Sequence, residues 1–441
     1  MGFRIIVAGG GLVGLTTAHI LSKAGIDFVV LEQHDNVTPY LGSLLSIMPS
    51  TLRVLDQVEL MEVFNKYSDD IRRMHLFTAD TAKTLRDETF LLELMQADSC
   101  GHPVVMAHRA DIAKALYDSL PEDVKKHILL EKRVTDINVL PDGVEVTCQD
   151  GSVQKGSIVL GADGVRSRVR QMMNRLEKGD PSTEKVEEKS PYVSSHRLFF
   201  GDVPKLHGVE AGVNYEGLHD RVATQLLVGT KRMWFNLYEQ LDTPTSDHIR
   251  YTENDQHEIL EKWGHLFVAP GYQLRDVYER RLKDTGLINL EEGLVDKWYS
   301  DRIVLAGDAV RKLTSNAGWG YNSGVTDIVV LVNHLRRLLK SDQSPSSEAL
   351  KTVFKQYQAD RAESTHITYK VSAERIRAVV WPGWLQRIIA TYIMPYVNLG
   401  KLDWIMRTRA LHRDSPVLEW LVEKNLPSHR IKYKQYPQLE E

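Results

Sequence analysis

The chain has 441 residues, 42% hydrophobic and 26% charged, with a formal net charge of −4. That composition is ordinary for a chain that buries a large core over two or three domains, and its charge offers no argument for nucleic acid. Cys100 and Cys148 are the only cysteines, and the 16 histidines show no HExxH-like spacing; a disulfide framework and a metal centre are therefore not expected.

The first apolar run, Arg4 to Ala8, reads as a buried strand starting near Phe3. It leaves no room for a signal peptide and predicts a cytoplasmic chain. The strand enters Gly9-Gly10-Gly11-Leu12-Val13-Gly14. Gly9 allows a tight turn, Gly11 lets the backbone approach a pyrophosphate, and Gly14 lets the next helix pack closely. A helix from Leu12 to about Lys23 would aim its N-terminus at the phosphates. A second strand, Phe28 to Leu31, ends in Glu32, 18 residues after Gly14. Its carboxylate suits the hydroxyls of an adenosine ribose and would repel a 2′-phosphate.

Beyond Gly42-Ser43, one amphipathic helix is predicted from about Ser50 to Tyr67. Arg109 opens another, Ala110 to Leu120. Val134 to Leu140 and Val144 to Gln149 flank Pro141-Asp142-Gly143, a hairpin signal leading to a small β-meander. The strand Ser157 to Leu160 then enters a second glycine segment, Gly161-Ala162-Asp163-Gly164-Val165-Arg166-Ser167.

Residues 174 to 190 are almost wholly polar and read as an exposed excursion. Strand-like runs follow at Arg197 to Phe200, Ala223 to Val228 and Met233 to Leu237, forming a separate sheet over a pocket. Arg302 to Ala306 returns to the first domain and enters Gly307-Asp308-Ala309, which continues to Gly318-Trp319-Gly320. Asp308, just past a buried strand, can bind hydroxyls of a ribityl chain. A helix opening there, and running to about Lys340, would place its N-terminus toward the pyrimidine end of a flavin, and Gly318 and Gly320 would let the backbone come close to the ring. Another helix spans about Ser347 to Val380.

The predicted fold is α/β: a Rossmann-like FAD-binding domain with a small β-meander, a β-sheet substrate domain, and a helical C-terminal region. The boundaries expected are 1–173 and 299–345 for the FAD-binding domain, 174–298 for the substrate sheet, and 346–441 for the helical region. The apolar tail from Ala378 to Leu399, interrupted by Pro382, Arg387 and Pro395, is a poor spanning helix. It either packs on the catalytic domain or makes a peripheral membrane contact.

On these segments the chain resembles the class A FAD-dependent monooxygenases, the group of p-hydroxybenzoate hydroxylase, and within it the fungal branch of paxilline-type epoxidases. The stretches carrying the resemblance are GGGLVGLTTAHILSKAGIDFVVLEQ, LGSLLSIMPSTLRVLDQVEL, HRADIAKAL, GADGVRSRVR and GDAVRKLTSNAGWGYNSGVTD, covering about residues 3 to 340. The resemblance implies FAD held at Gly9, Gly11, Gly14, Glu32, Arg109 and Asp308, with Asp163 bracing the flavin site. It implies NADPH or NADH as a transient reductant and O₂ as co-substrate, with a C4a-hydroperoxide as the oxygen donor to an electron-rich partner.

This sequence departs from the family pattern at Arg311, where His is common, at Ser315, at Trp319 and at Thr326-Asp327. Those departures leave the glycines and Asp308 in place, so FAD binding should survive.

Arg197 falls where related enzymes place a pocket arginine, and would stabilise charge at the reacting oxygen; the alternative is a surface strand arginine paired to an acid. Gln225, Trp234, Asn236 and Trp319 are further pocket candidates, as are Tyr192 and His196. Trp234 and Asn236 share one sheet face, although core packing explains either Trp equally well. The expected substrate is a hydrophobic small molecule with a prenyl alkene or an indole C2–C3 bond to epoxidise, the indole case opening a route to a rearranged oxindole. An aromatic hydroxylase, a redox-silent cyclase and a prenyl-binding module are the alternatives.

Overall fold

The structure is a computed structural model that describes residues 2–37, 44–98, 101–179, 190–283, 285–381 and, with gaps, 383–424. The expectations for Gly42, Ser43, Cys100, residues 180–189, Pro382, Arg387 and Pro395 lie outside the described residues.

Arg4–Ala8 is the centre of a six-stranded sheet. The order is Tyr299–Ser300, Ile303–Leu305, Ile158–Gly161, Arg4–Ala8, Asp27–Leu31, Ile128–Leu129, all parallel except the first pair. Its strands are almost continuously apolar because helices cover them. The helices Leu12–Ala24 and Trp319–Ser341 bury their apolar residues against this sheet. The three strand ends that lead into the glycine segments are neighbours here, so one sheet edge presents all three turns. The predicted meander is present as Val134–Leu140, Gly143–Cys148 and Val153–Gly156.

The second large sheet has nine strands. Its central path runs Gly286–Leu294, Val193–Pro204, Arg232–Thr245, Val222–Val228, Val213–Asp220, Arg73–Thr78, Thr84–Glu88. Two of these strands come from before the expected boundary at 173: Arg73–Thr78 pairs with Val213–Asp220 and with Thr84–Glu88, so this sheet recruits chain from before the second glycine segment. Val380–Trp381 joins the same sheet, so the region after 346 is not purely helical.

The expected single helix over 50–67 is two helices, Pro49–Gln57 and Met61–Asn65. Glu59 between them has φ 65°, a left-handed conformation that a continuous helix does not contain.

The helix Ser347–Val379 ties the two sheets together. Near its middle Arg361 reaches Asp327 on the helix Trp319–Ser341. Near its end Arg375 pairs with Glu216 on the nine-stranded sheet, and Ile376 and Val379 pack with Leu198, Ala223 and Tyr238. Among the described residues no helix is long and apolar enough to cross a membrane.

Candidate active site

The three glycine segments converge. A Cβ on Gly9, whose φ is 106°, would lie 2.5 Å from the Ala162 carbonyl oxygen of the second segment. A Cβ on Gly14 would lie 1.9 Å from the Gly9 carbonyl oxygen, so only glycine lets the helix start so close to the turn. Gly11 differs from both: a Cβ there meets nothing within 4 Å. It is the N-cap of the helix Leu12–Ala24 and no side chain caps that end. An uncapped helix start facing open space is what a diphosphate requires.

Glu32 is buried at the end of the second strand. Its Oε2 accepts from the Gly10 amide at 2.7 Å and its Oε1 from the His34 amide at 2.9 Å. The carboxylate is thus held at the adenosine end of the turn, where it would take ribose hydroxyls on its remaining lone pairs. Arg109 begins the helix Arg109–Asp118, exposed and without an ion pair among the described residues. Asp163 Oδ2 accepts from the Arg168 and Val169 amides at 2.7 and 3.1 Å and so anchors the helix Arg168–Lys178. Its Oδ1 is buried with no protein partner, and burial pushes the carboxyl pKa up despite the amide contacts. The Asp163 Cα lies 2.9 Å from a Cβ built on Gly9, so the second segment abuts the first turn and keeps an unused acceptor.

In the third segment, a Cβ on Gly320 would lie 4.0 Å from Asp308 Oδ1, which brings the two ends of that segment together. Asp308 is half-buried and pairs with Lys312 at 2.5 Å. Gly318 has φ 71°, and a Cβ on it would come 2.9 Å from Ser46 Cβ. Asn322, which sequence reasoning missed, stitches this region together. Its Nδ2 donates to the Ser46 and Gly318 carbonyls at 3.0 and 2.6 Å, and its Oδ1 accepts from the Met48 amide at 2.8 Å. The available signal was a polar residue four positions after Gly318 on an otherwise buried helix face. Tyr192 also serves here: its hydroxyl donates to the Asp308 carbonyl at 3.0 Å and accepts from Arg170 at 3.1 Å.

The residues present therefore fit FAD. Gly9, Gly11 and Gly14 would hold the diphosphate, Glu32 the adenosine ribose, Asp308 the ribityl chain, and Gly318 with Gly320 the ring.

Opposite the third segment lies one face of the nine-stranded sheet. Trp234 and Leu227 pack with Met48, Ile71, Val104, Met106, Leu313 and Trp319 in one buried apolar layer. Trp319 thus packs in this layer, with its ring 5.1 Å from the His412 ring. Gln225 and Asn236 are buried on the same face, the Asn236 amide donating to Gln225 Oε1 at 2.9 Å and the Tyr238 hydroxyl to the same oxygen at 3.1 Å. A cavity of about 450 Å³ lies between the helices Trp319–Ser341 and Ser347–Val379 and the 410–419 segment, with Trp319 on its wall.

Arg197 is not brought to this site. Strand alternation places Leu198 with Ala223 and Tyr238 on the inner face, and Phe199 with Phe235 and Leu237 on the outer one. Arg197 shares the outer face: it pairs with Glu239 at 2.7 Å and lies over the Tyr251 ring, while Glu239 also accepts from Lys262 and Trp263 of the outer helix Glu253–Trp263. The pocket role expected for Arg197 is therefore corrected to an outer-face ion pair. His196 is buried beside Ser195, its Nδ1 2.9 Å from the hydroxyl, near Glu292 and Arg377.

Residues 3–188 and 274–366 match the FAD binding domain family. The chain is 34% identical over 411 residues to the FAD-dependent monooxygenase srdH of Neurospora crassa, covering 90% of this chain and 91% of that protein. It is 30% identical over 413 residues to the FAD-dependent monooxygenase prhF of Penicillium brasilianum, covering 92% and 85%. Among solved structures, Klebsiella pneumoniae HpxO complexed with FAD and uric acid shares the fold with a TM-score of 0.76 at 18% identity, over 93% of this chain and 97% of that one. The chain belongs to the FAD binding domain family. It is an FAD-dependent monooxygenase, as the resemblance to the class A enzymes implied.

Proposed function

We propose that this enzyme uses NADPH or NADH and O₂ to oxygenate an electron-rich double bond of a hydrophobic fungal secondary metabolite. The favoured reaction is epoxidation of a prenyl alkene or an indole C2–C3 bond. The balance is substrate plus O₂, NAD(P)H and a proton giving oxygenated substrate, NAD(P)⁺ and water. Bound FAD supplies the redox chemistry. The chain's own residues hold the partner and keep water out, and the observation carrying this reading is the buried layer of Met48, Met106, Leu227, Leu313, Trp234 and Trp319 facing the Gly318–Gly320 segment. The relatives' fungal sources and printed activity support the setting.

The test supplies ¹⁸O₂ and NADPH or NADH to the FAD-loaded protein with prenylated arenes and prenylated indoles, and reads products by mass spectrometry. One ¹⁸O atom at the former double bond is expected. Product formed without oxygen uptake would instead mark a redox-silent cyclase.

Aromatic hydroxylation is the second reading. It is favoured by the neutral polar groups on the inner sheet face, which suit a phenolic hydroxyl, and would place the ¹⁸O atom on the ring. A peripheral membrane contact is also proposed for the 378–399 region, supported by the exposure of Leu385, Ile388, Tyr392 and Tyr396. Flotation with anionic lipid vesicles tests it: protein remaining wholly in the dense fraction would exclude the contact.

A further inference from the structure

We propose that the substrate is an uncharged molecule carrying a hydroxyl or enol oxygen, held on the inner sheet face by Asn236 Oδ1 and Trp234 Nε1. The proposal rests on the reading of that face as the substrate site and goes further by naming the polar character of the ligand.

The argument begins with register. Glu216, Gln225 and Asn236 stand directly opposite one another across three strands, and Asn214, Leu227 and Trp234 form the adjacent inner row. All six are buried. The charge in these rows is already matched, because Glu216 is ion-paired with Arg375. Gln225 Oε1 is matched twice, by Asn236 Nδ2 and by the Tyr238 hydroxyl.

What remains is a specific unmatched set. Asn236 Oδ1, Asn214 Oδ1 and Trp234 Nε1 are buried without a hydrogen-bond partner. The Asn214 amide nitrogen faces only the Met74 sulfur at 3.4 Å. Asn316, in the loop leading to Gly318, has both amide atoms in the same condition. Buried polar atoms are almost always satisfied, and each exception calls for an explanation, of which a bound partner from outside the chain is one. Such atoms occur elsewhere in the molecule too, but five of them, on Asn214, Trp234, Asn236 and Asn316, belong to this sheet face and to the loop leading to Gly318.

Their chemistry selects the ligand. Asn236 and Asn214 offer acceptors, and Trp234 offers a donor with no acceptor capacity. A hydroxyl both donates to a carbonyl oxygen and accepts from an indole N–H. A carboxylate only accepts, and Arg375, the arginine paired into these rows, is held by Glu216. An ammonium only donates, and the one inner-row carboxylate is taken. The remainder of the ligand is apolar, to match Met48, Met106, Leu227, Leu313 and Trp319.

The test is equilibrium dialysis of the FAD-loaded enzyme with 1-naphthol, naphthalene and 1-naphthoate, which share one apolar body. The expected result is binding of 1-naphthol at least about tenfold tighter than either of the others, since a site built to bond a hydroxyl discriminates strongly against an analogue lacking it. Asn236→Leu and Trp234→Phe should each narrow the naphthol-to-naphthalene ratio to about threefold or less while FAD content stays at the wild-type level. A wild-type ratio near one, a preference for 1-naphthoate, no measurable binding of 1-naphthol, or variants that keep the full ratio would each overturn the proposal. The wild-type comparison stands even where a variant fails to fold. An enzyme that incorporates ¹⁸O but shows no hydroxyl preference would sink this inference alone, whereas one that takes up no oxygen with any partner would sink the oxygenation reading.

Discussion

Asp327 receives Arg311 through both of its carboxylate oxygens, deep in the interior where neither side chain meets solvent. The same carboxylate accepts from Arg361 Nε at 2.8 Å and from the Gly307 amide at 2.9 Å. Two buried cations thus depend on one anion, which also fixes the turn bearing Asp308. Burial pushes the Arg361 pKa down from its ordinary value, the mark of a cation that relies on its partner. Arg311, which stands where the family pattern commonly has His, is therefore tied into one cluster with Asp327 and Arg361.

The first prediction ranks two substitutions. Asp327→Ala leaves both guanidinium groups buried and unpaired, and should cost about 3–5 kcal/mol. Arg311→Met keeps an Asp327–Arg361 pair and similar volume, and should cost clearly less. Urea denaturation of both variants checks the order; equal losses would show that Asp327 does not carry the cluster.

A second prediction separates two glycines of the first segment. Gly14→Ala drives a methyl into the Gly9 carbonyl and should prevent stable folding of the FAD domain. Gly11→Ala meets open space, so the FAD-free protein should keep its thermal stability while FAD dissociates more readily. The measurements are melting of the FAD-free protein and release of FAD, read by flavin fluorescence. A Gly11→Ala variant with wild-type FAD retention would mean that no phosphate approaches that amide.

Arg197 provides the third. Its ion pair is partly exposed, and Glu239 keeps Lys262 and Trp263 when it is lost. Arg197→Ala should therefore cost only about 1 kcal/mol of stability and leave product formation within about twofold of wild type. A steep loss of turnover with intact FAD content would restore the pocket role.

Acid sensitivity supplies the fourth. Burial, with help from Arg377, lowers the His196 pKa from an ordinary 6.5 to about 4. The folded state holds this ring neutral, so the unfolded state binds more protons between those values. The contribution is fully present above pH 6.5 and is lost as pH falls toward 4, amounting to about 3 kcal/mol at most. His196→Gln should flatten the pH dependence of urea unfolding in that window. An unchanged slope would remove His196 as its source.

What was legible in the sequence follows steric necessity. Gly9, Gly14 and Gly318 sit where a side chain would strike backbone or a neighbouring residue, so their spacing announces the turn. The sheet's facing was not legible. The strand Val193–Pro204 buries residues on both faces and shifts register between Ser194 and His196, so periodicity could not tell whether Arg197 looked in or out. Nor could the pairing of Arg73–Thr78 with Val213–Asp220 be seen, because partners so far apart in the chain leave no local trace. The Glu216–Arg375 pair was hidden for the same reason.

The helix Ser347–Val379 has a mechanical consequence. From Arg361 to Arg375 it spans roughly 20 Å, at ~1.5 Å of rise per residue. One contact grips the helix Trp319–Ser341, which packs on the six-stranded sheet, and the other grips the nine-stranded sheet. The helix works as a tie rod. To swing the two layers apart as rigid bodies would require breaking an arginine–carboxylate bond at one end or the other. Exchange of a ligand between them must therefore proceed by local yielding of the chain that lines the layer, with the frame on either side held at constant spacing.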